Sequence, residues 1–224
     1  MGNPAAGGGR WIEVAPGRFA AWADNFGGRH GQLAADATPA VLVLTAADGS
    51  VAECHVPFPP MTTVPAGTLI AGVAAHATAP RTVAVLLVRL GGYAAGVFGG
   101  SPPELAASKT GSRLVHGRSA AGGWSQHRFA RRREKQAAEA LDAAVAAAVR
   151  VFGPYRGELD AVVLGGDHRT VAGLRDDPRL RPYLALMTGR FLTVPDPRLA
   201  VLRETPRLFL AIRIRLTEAA SGFR

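Results

Sequence analysis

Residues 125–166 read SQHRFARRREKQAAEALDAAVAAAVRVFGPYRGELDAVVLGG, and the predicted fold is built around this stretch. Up to residue 152 the apolar side chains recur every three or four positions, which is the spacing of one face of an α-helix. Gly153 and Pro154 end the helix, because neither residue readily continues one. The apolar run at 159–164 is typical of a buried β-strand, and Gly165-Gly166 turns the chain after it into a short helix.

The remaining sequence predicts further strands and helices on both sides of this stretch. Turns at 48–49 and 91–92 each separate two apolar runs, which predicts two β-hairpins. A helix is predicted over 16–30, and an alternating strand over 208–216. Strands interleaved with helices predict an α/β (α+β) fold in which a mixed β-sheet is covered by helices. Residues 99–125 are interpreted as a long irregular segment, of the kind that is usually functional or disordered in a compact domain.

This pattern predicts that the chain has three parts. Residues 1–10 are rich in glycine and predict a disordered tail. Residues 11–75 predict an N-terminal helix plus a β-hairpin, forming an extension packed on the main domain. Residues 76–218 predict the main domain itself, in which a long basic loop leads into the long helix.

The positive charge of the chain is concentrated in one segment. The chain of 224 residues has 26 Lys and Arg against 17 Asp and Glu, a net charge of +9, which favours a polyanionic partner. Between residues 109 and 135 there are eight basic residues and one acid, so +7 of that charge lies in about an eighth of the chain. Four of the eight have helical spacing and fall on one helix face, namely Arg128, Arg131, Arg132 and Lys135.

Several classes of protein are excluded by what the sequence lacks. Cys54 is the only cysteine, so an intramolecular disulfide and a cysteine-rich zinc site are both excluded, and a reducing cytoplasmic location is expected. The first residues do not have the pattern of a signal peptide, and the apolar runs are too short to span a bilayer. No nucleotide-binding glycine-rich motif is present. We therefore expect no cofactor, no bound metal and no membrane partner.

The loop before the long helix contains residue types suited to RNA. Gly122-Gly123 permits close approach of the backbone to a ligand. Trp124 is either a base-stacking side chain or an anchor that packs into the core. Gln126 cannot act as a general base at neutral pH, but its amide both donates and accepts hydrogen bonds. Such an amide can orient a water molecule or stabilise a developing oxyanion.

Residues 122–131, Gly-Gly-Trp-Ser-Gln-His-Arg-Phe-Ala-Arg, resemble the middle domain of eukaryotic and archaeal class-1 peptide-chain release factors. That family has Gly-Gly-Gln-Ser, two variable residues and then Arg-Phe-Ala-Arg at the start of a long helix. The resemblance covers about residues 80–195. Trp124 occupies the family's glutamine position here, and the glutamine is displaced two residues to Gln126. A displaced glutamine is the mark of the Vms-like release factors, and the chain is identified as similar to the bacterial members of that group.

This resemblance implies a release-factor-like catalytic domain that hydrolyses peptidyl-tRNA on stalled or split ribosomes, in ribosome rescue and quality control. The implied partners are the rRNA of the large ribosomal subunit and peptidyl-tRNA, not DNA. The implied catalytic residues are Gln126, Gly122 and Gly123. The residues implied to bind RNA are Trp124, Ser125, His127, Arg128, Arg131, Arg132, Lys135, Arg118 and Arg113. Two alternatives stay open, a non-catalytic module that recognises stalled ribosomes or tRNA, and a nuclease that cuts near the tRNA 3′ end.

Overall fold

The computed structural model describes residues 3–4, 8–62, 68–89, 92–112 and 125–219, with side chains for all of these except residues 3–4, 125–134 and 137. The chain divides into two units. Unit 1 consists of residues 1–79 and 207–224, and unit 2 consists of residues 80–206.

The elements of the described residues are, in chain order, β1 (Asn3–Pro4), β2 (Arg10–Val14), α1 (Phe19–His30), β3 (Leu33–Ala37), β4 (Val41–Ala46), β5 (Val51–His55), α2 (Leu69–Thr78), β6 (Val83–Arg89), β7 (Gly92–Gly99), β8 (Glu104–Ser112), α3 (Ser125–Phe152), β9 (Ala161–Gly166), α4 (His168–Ala172), α5 (Arg181–Leu184), β10 (Met187–Leu192), α6 (Leu199–Arg203), α7 (Thr205–Phe209) and β11 (Ile212–Thr217). Short 3₁₀ turns precede α1 and follow α3.

Unit 2 contains a mixed five-stranded sheet with the order β10-β9-β6-β7-β8. β9 pairs in parallel with both β6 and β10, whereas β7 pairs antiparallel with β6 and with β8. The first six residues of β6 and the first five of β9 are buried, as expected for strands covered on both faces. The predicted mixed sheet is therefore present in this unit.

Helices cover both faces of the unit 2 sheet. On one face Ala95 and Val97 of β7 share a core cluster with Ala144 and Ala148 of α3. Between them Gly96 points to the opposite face, where a Cβ would lie 2.8 Å from Leu202 of α6. Burial of each large apolar side chain in this core contributes about 1.5–3 kcal/mol.

Unit 1 contains a six-stranded antiparallel sheet with the order β1-β2-β11-β5-β4-β3. Its core cluster includes the fully buried Phe19 and Phe26 of α1 and Val73 of α2. These side chains share the cluster with alternate sheet residues such as Leu42 and Ile214. The intervening sheet residues are exposed or half-buried, which is the alternation of a sheet with one covered face.

Two predictions about strands were wrong. Residues 104–112, interpreted as part of an irregular segment, form β8, whose polar and small residues lack a clear apolar alternation. The strand at the C-terminus, expected in the main domain, is β11, and it pairs with β2 and β5 of unit 1. Alternation of apolar residues in 212–217 predicts a strand but carries no information about its partner, because that pairing is long-range.

Residues 208–209, predicted as the start of the C-terminal strand, belong to α7, and β11 begins only at Ile212. Further differences concern the first 80 residues. Asn3–Pro4, in the segment predicted to be a disordered tail, pairs with Arg10 and Trp11 of β2. The helix α2 was not predicted at all. The two predicted hairpins, the helix at 16–30 and the long helix at 125–152 are confirmed.

Candidate functional site

Four strands of the unit 2 sheet end at the same edge. β9 is parallel to β6 and β10, and β8 is antiparallel to β7, so β6, β8, β9 and β10 all run in one direction. In the register, Ser112 lies opposite Gly92, and Gly166 lies opposite Val88. β8 therefore ends at this edge, which we call the carboxyl edge. Ligands of open α/β sheets commonly bind outside such an edge.

The helix α3 begins at Ser125, immediately after the Gly122-Gly123-Trp124 segment. Gln126 and His127 are therefore in the first turn of the helix. Gly122, Gly123 and Trp124 lie outside the described residues, as do Arg113 and Arg118. For the site residues within 125–134 the backbone is described, so their positions around and along the helix axis are known.

The first described buried residue of α3 is Ala140. It is 14 residues after Gln126, which corresponds to about 21 Å along the helix axis. Among the described side chains of α3, those in the core include Ala144, Val145 and Ala148, all in its second half. The first turn of α3 is thus far along the helix from these core residues.

The predicted basic face of α3 continues a line of exposed residues. At about 100° per residue, Arg128, Arg131, Arg132 and Lys135 span an arc of about 100°. Lys135, Glu139, Asp142, Ala146 and Arg150 are exposed and lie along the same arc. The buried residues of the second half are centred about 180° away on the same count. We call Arg128, Arg131, Arg132 and Lys135 the basic stripe.

Gln126 does not lie on the same side of α3 as the basic stripe. Its angular position is about 170° from the centre of the stripe and in line with the buried Ala144. The predicted catalytic amide and the predicted phosphate-binding residues are therefore separated around the helix. Both could contact one ligand only if that ligand passes across the beginning of α3.

A cluster of three charged residues links the second half of α3 to the segment around Arg179. Arg179 Nη2 lies 2.7 Å from Asp142 Oδ1 on α3 and 2.7 Å from Asp177 Oδ2. The hydrogen bond from Arg179 lowers the pKa of Asp177, so this carboxylate stays ionised. The exposed acid Asp142 is thus paired with another part of unit 2, away from the basic stripe.

The beginning of α3 has an unusual charge distribution. The first turn contains no acidic residue, although the positive end of the helix dipole favours acids there. Arg128, Arg131 and Arg132 follow within the first eight residues. Positive side chains and the helix dipole therefore add to one another at this end, which stabilises a bound polyanion.

Sequence reasoning missed the residues at the ends of β6 and β10. Arg89 Nη1 donates a 3.0 Å hydrogen bond to the backbone oxygen of Val194, and its Nε lies 3.6 Å from Asp196 Oδ1. These contacts fix the segment after β10 to the end of β6. The available signal was position alone, because Arg89 ends the buried strand β6 and the other two residues follow within four positions of the end of β10.

Two kinds of feature are absent from the described residues. No helix there is long and apolar enough to cross a membrane. Among the same residues, no group of three or more His, Cys, Asp or Glu side chains is arranged to hold a metal ion.

One protein-family model matches this chain, and it describes a family of release factors. The model of the Actinobacteria/chloroflexi VLRF1 release factor matches residues 81–215, more than half of the chain. The chain therefore belongs to the Actinobacteria/chloroflexi VLRF1 release factor family. The matched region includes the carboxyl edge, the Gly122-Gly123 loop and α3. No curated protein sequence matches the chain.

Solved structures similar to this chain are distant in sequence. The crystal structure of the archaeal translation termination factor aRF1 is 12% identical with a TM-score of 0.44, over 75% of this chain and 51% of that one. The chain thus spans about half the length of the aRF1 structure. The Vms1 mitochondrial localization core is 11% identical with a TM-score of 0.38, over 81% of this chain and 77% of that one. An archaeal protein is 14% identical with a TM-score of 0.36, over 72% and 48%.

Proposed function

We propose that this protein is a peptidyl-tRNA hydrolase that releases nascent peptide from tRNA on stalled or split ribosomes. The observation that carries the proposal is the family match over 81–215, which includes Gly122-Gly123 and Gln126 directly before and within the start of α3. The implied substrate is the ester between the peptide and the 3′ end of tRNA. The implied binding partner is the large ribosomal subunit.

The proposed reaction is hydrolysis by water. The water oxygen attacks the ester carbonyl carbon, and the bond from that carbon to the ribose oxygen breaks. The ribose oxygen takes a proton, so the products are a peptide with a terminal carboxyl group and an intact tRNA. The Gln126 amide accepts a hydrogen bond from the water or donates one to the developing oxyanion. Gly122 and Gly123 allow the backbone to approach the ester closely.

The remaining site residues are proposed to bind RNA. Arg128, Arg131, Arg132 and Lys135 contact phosphates of rRNA or the tRNA acceptor stem, together with Arg113 and Arg118. Trp124 stacks on a base, and Ser125 and His127 contact the RNA near the start of α3. Because Gln126 is about 170° around the helix from the basic stripe, the RNA is expected to pass over the beginning of α3. Its phosphates then face the stripe, while its 3′ end reaches Gln126.

The test is peptide release from purified stalled ribosome–nascent-chain complexes. Loss of an oxyanion or water contact costs on the order of 100-fold in rate, so Gln126→Ala should release peptide about 100 times more slowly than the wild type. Gln136→Ala is a matched control on the same helix, and it should release peptide at the wild-type rate. The tRNA is measured in parallel by gel electrophoresis.

Each alternative function has its own result in this assay. Peptide released with full-length tRNA supports the hydrolase. Binding to large subunits without any release, by wild type and Gln126→Ala alike, would replace it with the stall-recognition module. Peptide that remains attached to a shortened tRNA fragment would replace it with the nuclease.

A further inference from the structure

His168 and Phe191 form an aromatic stack at the carboxyl edge that the proposed reaction does not use. The ring centroids are 3.6 Å apart and the ring planes are inclined by 22°. Phe191 is half-buried in β10 against the core of unit 2, whereas His168 is exposed at the start of α4. One face of the imidazole therefore contacts Phe191, and the exposed His168 presents ring surface to solvent.

The backbone around His168 is held by hydrogen bonds within the chain. The N–H of Asp167 donates to the backbone oxygen of Val88 at 2.9 Å. The carboxylate of Asp167 accepts from the N–H of Arg169 at 3.0 Å and from the Thr170 hydroxyl at 3.1 Å. Asp167 thus caps α4 itself, so the start of this short helix is not an anion site. The feature that remains there is the pair of rings.

The helix that begins at His168 packs next to α3. Val171 of α4 and Val145 of α3 belong to one core cluster, so both helices cover the same face of the sheet. A Cβ on Gly173, just after α4, would lie 3.3 Å from Leu141 of α3. His168 is five residues earlier, at the start of α4, which directly follows the end of β9 at the carboxyl edge. Lys135, six residues before Leu141 towards the start of α3, is exposed.

We propose that His168 and Phe191 form a stacking platform for an unpaired nucleobase of an RNA strand whose phosphates follow the basic stripe. Aromatic surface next to cationic side chains suits single-stranded RNA, because every base has a π-face and every nucleotide a phosphate. β10 and β8 are four strand spacings apart, about 19 Å. A short unpaired segment spans that distance, from the platform to the end of β8. The identification of this strand as the unpaired 3′ end of a tRNA rests on the proposed function.

The experiment measures binding of the full chain to two labelled RNA probes by fluorescence anisotropy. One probe is an unstructured eight-nucleotide RNA, and the other is the same ribose-phosphate strand without bases. Loss of one stacking contact weakens binding by about tenfold. His168→Ala should therefore bind the probe with bases about tenfold more weakly and the abasic probe unchanged. His168→Tyr keeps an aromatic face and should bind both probes within about twofold of the wild type.

A charge variant separates stacking from electrostatics. Arg169→Gln, on the neighbouring exposed residue, should weaken binding of both probes equally, because phosphates are common to both. A wild-type chain that binds both probes equally would overturn the platform. So would a His168→Ala chain that loses the same factor on both probes or on neither. Thermal melting of each variant verifies that the fold is retained, as expected at an exposed position.

The experiments test the stacking platform and the proposed hydrolase independently. A wild type that releases no peptide, while His168→Ala still loses base-dependent binding, contradicts the hydrolase alone. A wild type that releases peptide through Gln126, while His168→Ala binds normally, contradicts the platform alone.

Discussion

The two units of this chain differ in charge far more than in size. Unit 1 has seven basic residues against six acidic ones, a net charge of +1, whereas unit 2 has nineteen against eleven, a net charge of +8. In unit 1 the arginines of β11 lie near acids on neighbouring strands. Arg213 is 3.9 Å from Glu13, and Arg215 is 3.4 Å from Glu53.

In unit 2 the acids and bases are separated along α3. The basic stripe lies in the first half of α3, and the exposed acids Glu139 and Asp142 follow it along the same arc. Basic residues that lie beside acids within a sheet attract RNA only weakly, because their charges are neutralised. Basic residues that are separated from the acids along a helix leave one end of that helix positively charged, and this end can attract RNA. We therefore expect the proposed RNA contact to belong to unit 2, whereas unit 1 contributes mainly a separate folded core.

The largest expected effect comes from removing charge in one unit at a time. Changing all four residues of the basic stripe to Gln should weaken binding to purified large ribosomal subunits by about 100-fold at moderate salt. The slope of log K against the logarithm of salt concentration should also become less steep by up to about 3, because each lost phosphate contact removes a released counterion. Glutamine is nearly as good a helix former as arginine, so α3 should persist.

The matched control removes four exposed arginines of unit 1. These are Arg10, Arg18, Arg29 and Arg207. Changing them to Gln should alter binding to the large subunits by no more than about threefold, because arginines that contact no phosphate release no counterions. Equal losses from both sets of four would mean that overall charge matters, and the contrast between the units would be wrong.

A smaller effect is expected from one glycine that shapes the carboxyl edge. Gly166 has a φ of +111°, and a Cβ there would overlap the backbone oxygen of Val88. Gly166→Ala should therefore lower the free energy of unfolding by about 2–3 kcal/mol. Gly189→Ala is the control, because no heavy atom lies within 4 Å of its Cβ position. Denaturant unfolding measures both, and equal stabilities would contradict the assigned turn.

The smallest effect concerns a buried hydroxyl in unit 1. Ser50 is fully buried, and its Oγ accepts a 3.0 Å hydrogen bond from the N–H of Ala219 and lies 3.2 Å from His30 Nδ1. Ser50→Ala should cost about 1–2 kcal/mol of stability by leaving these groups without their partner. Ser108→Ala, at an exposed position of β8, should cost nothing measurable. RNA binding by Ser50→Ala should equal that of the wild type at temperatures where it is folded; weaker binding would give unit 1 a direct part in RNA contact.

The predictable parts of this fold are those encoded by neighbouring residues. The apolar spacing from Leu141 to Phe152 predicts α3, and Asp48-Gly49 predicts the turn between β4 and β5. Both kinds of signal depend on residues within one or two turns of chain. The separation of charge along α3 was likewise visible in the sequence.

The parts that could not be predicted depend on distant residues. β8 is recognisable only beside β7, where Gly111 lies under the ring of Tyr93 and a Cβ would overlap that ring. β11 is a strand by its alternation, yet its partners are about 160 and 200 residues away. The same holds for the stack of His168 on Phe191, because nothing local to either residue specifies the other. The assignment of Gln126 and its neighbours to catalysis stays a prediction.

The most direct test of hydrolysis is the fate of the attacking oxygen. Stalled ribosome–nascent-chain complexes are treated with the wild-type protein in ¹⁸O-enriched water, and the released peptide is analysed by mass spectrometry. Attack of water on the ester carbonyl predicts one heavy oxygen atom in the new terminal carboxyl group, with tRNA of full length, and almost no such product from Gln126→Ala. Released peptide without heavy oxygen, or peptide still joined to a nucleotide, would contradict the hydrolase.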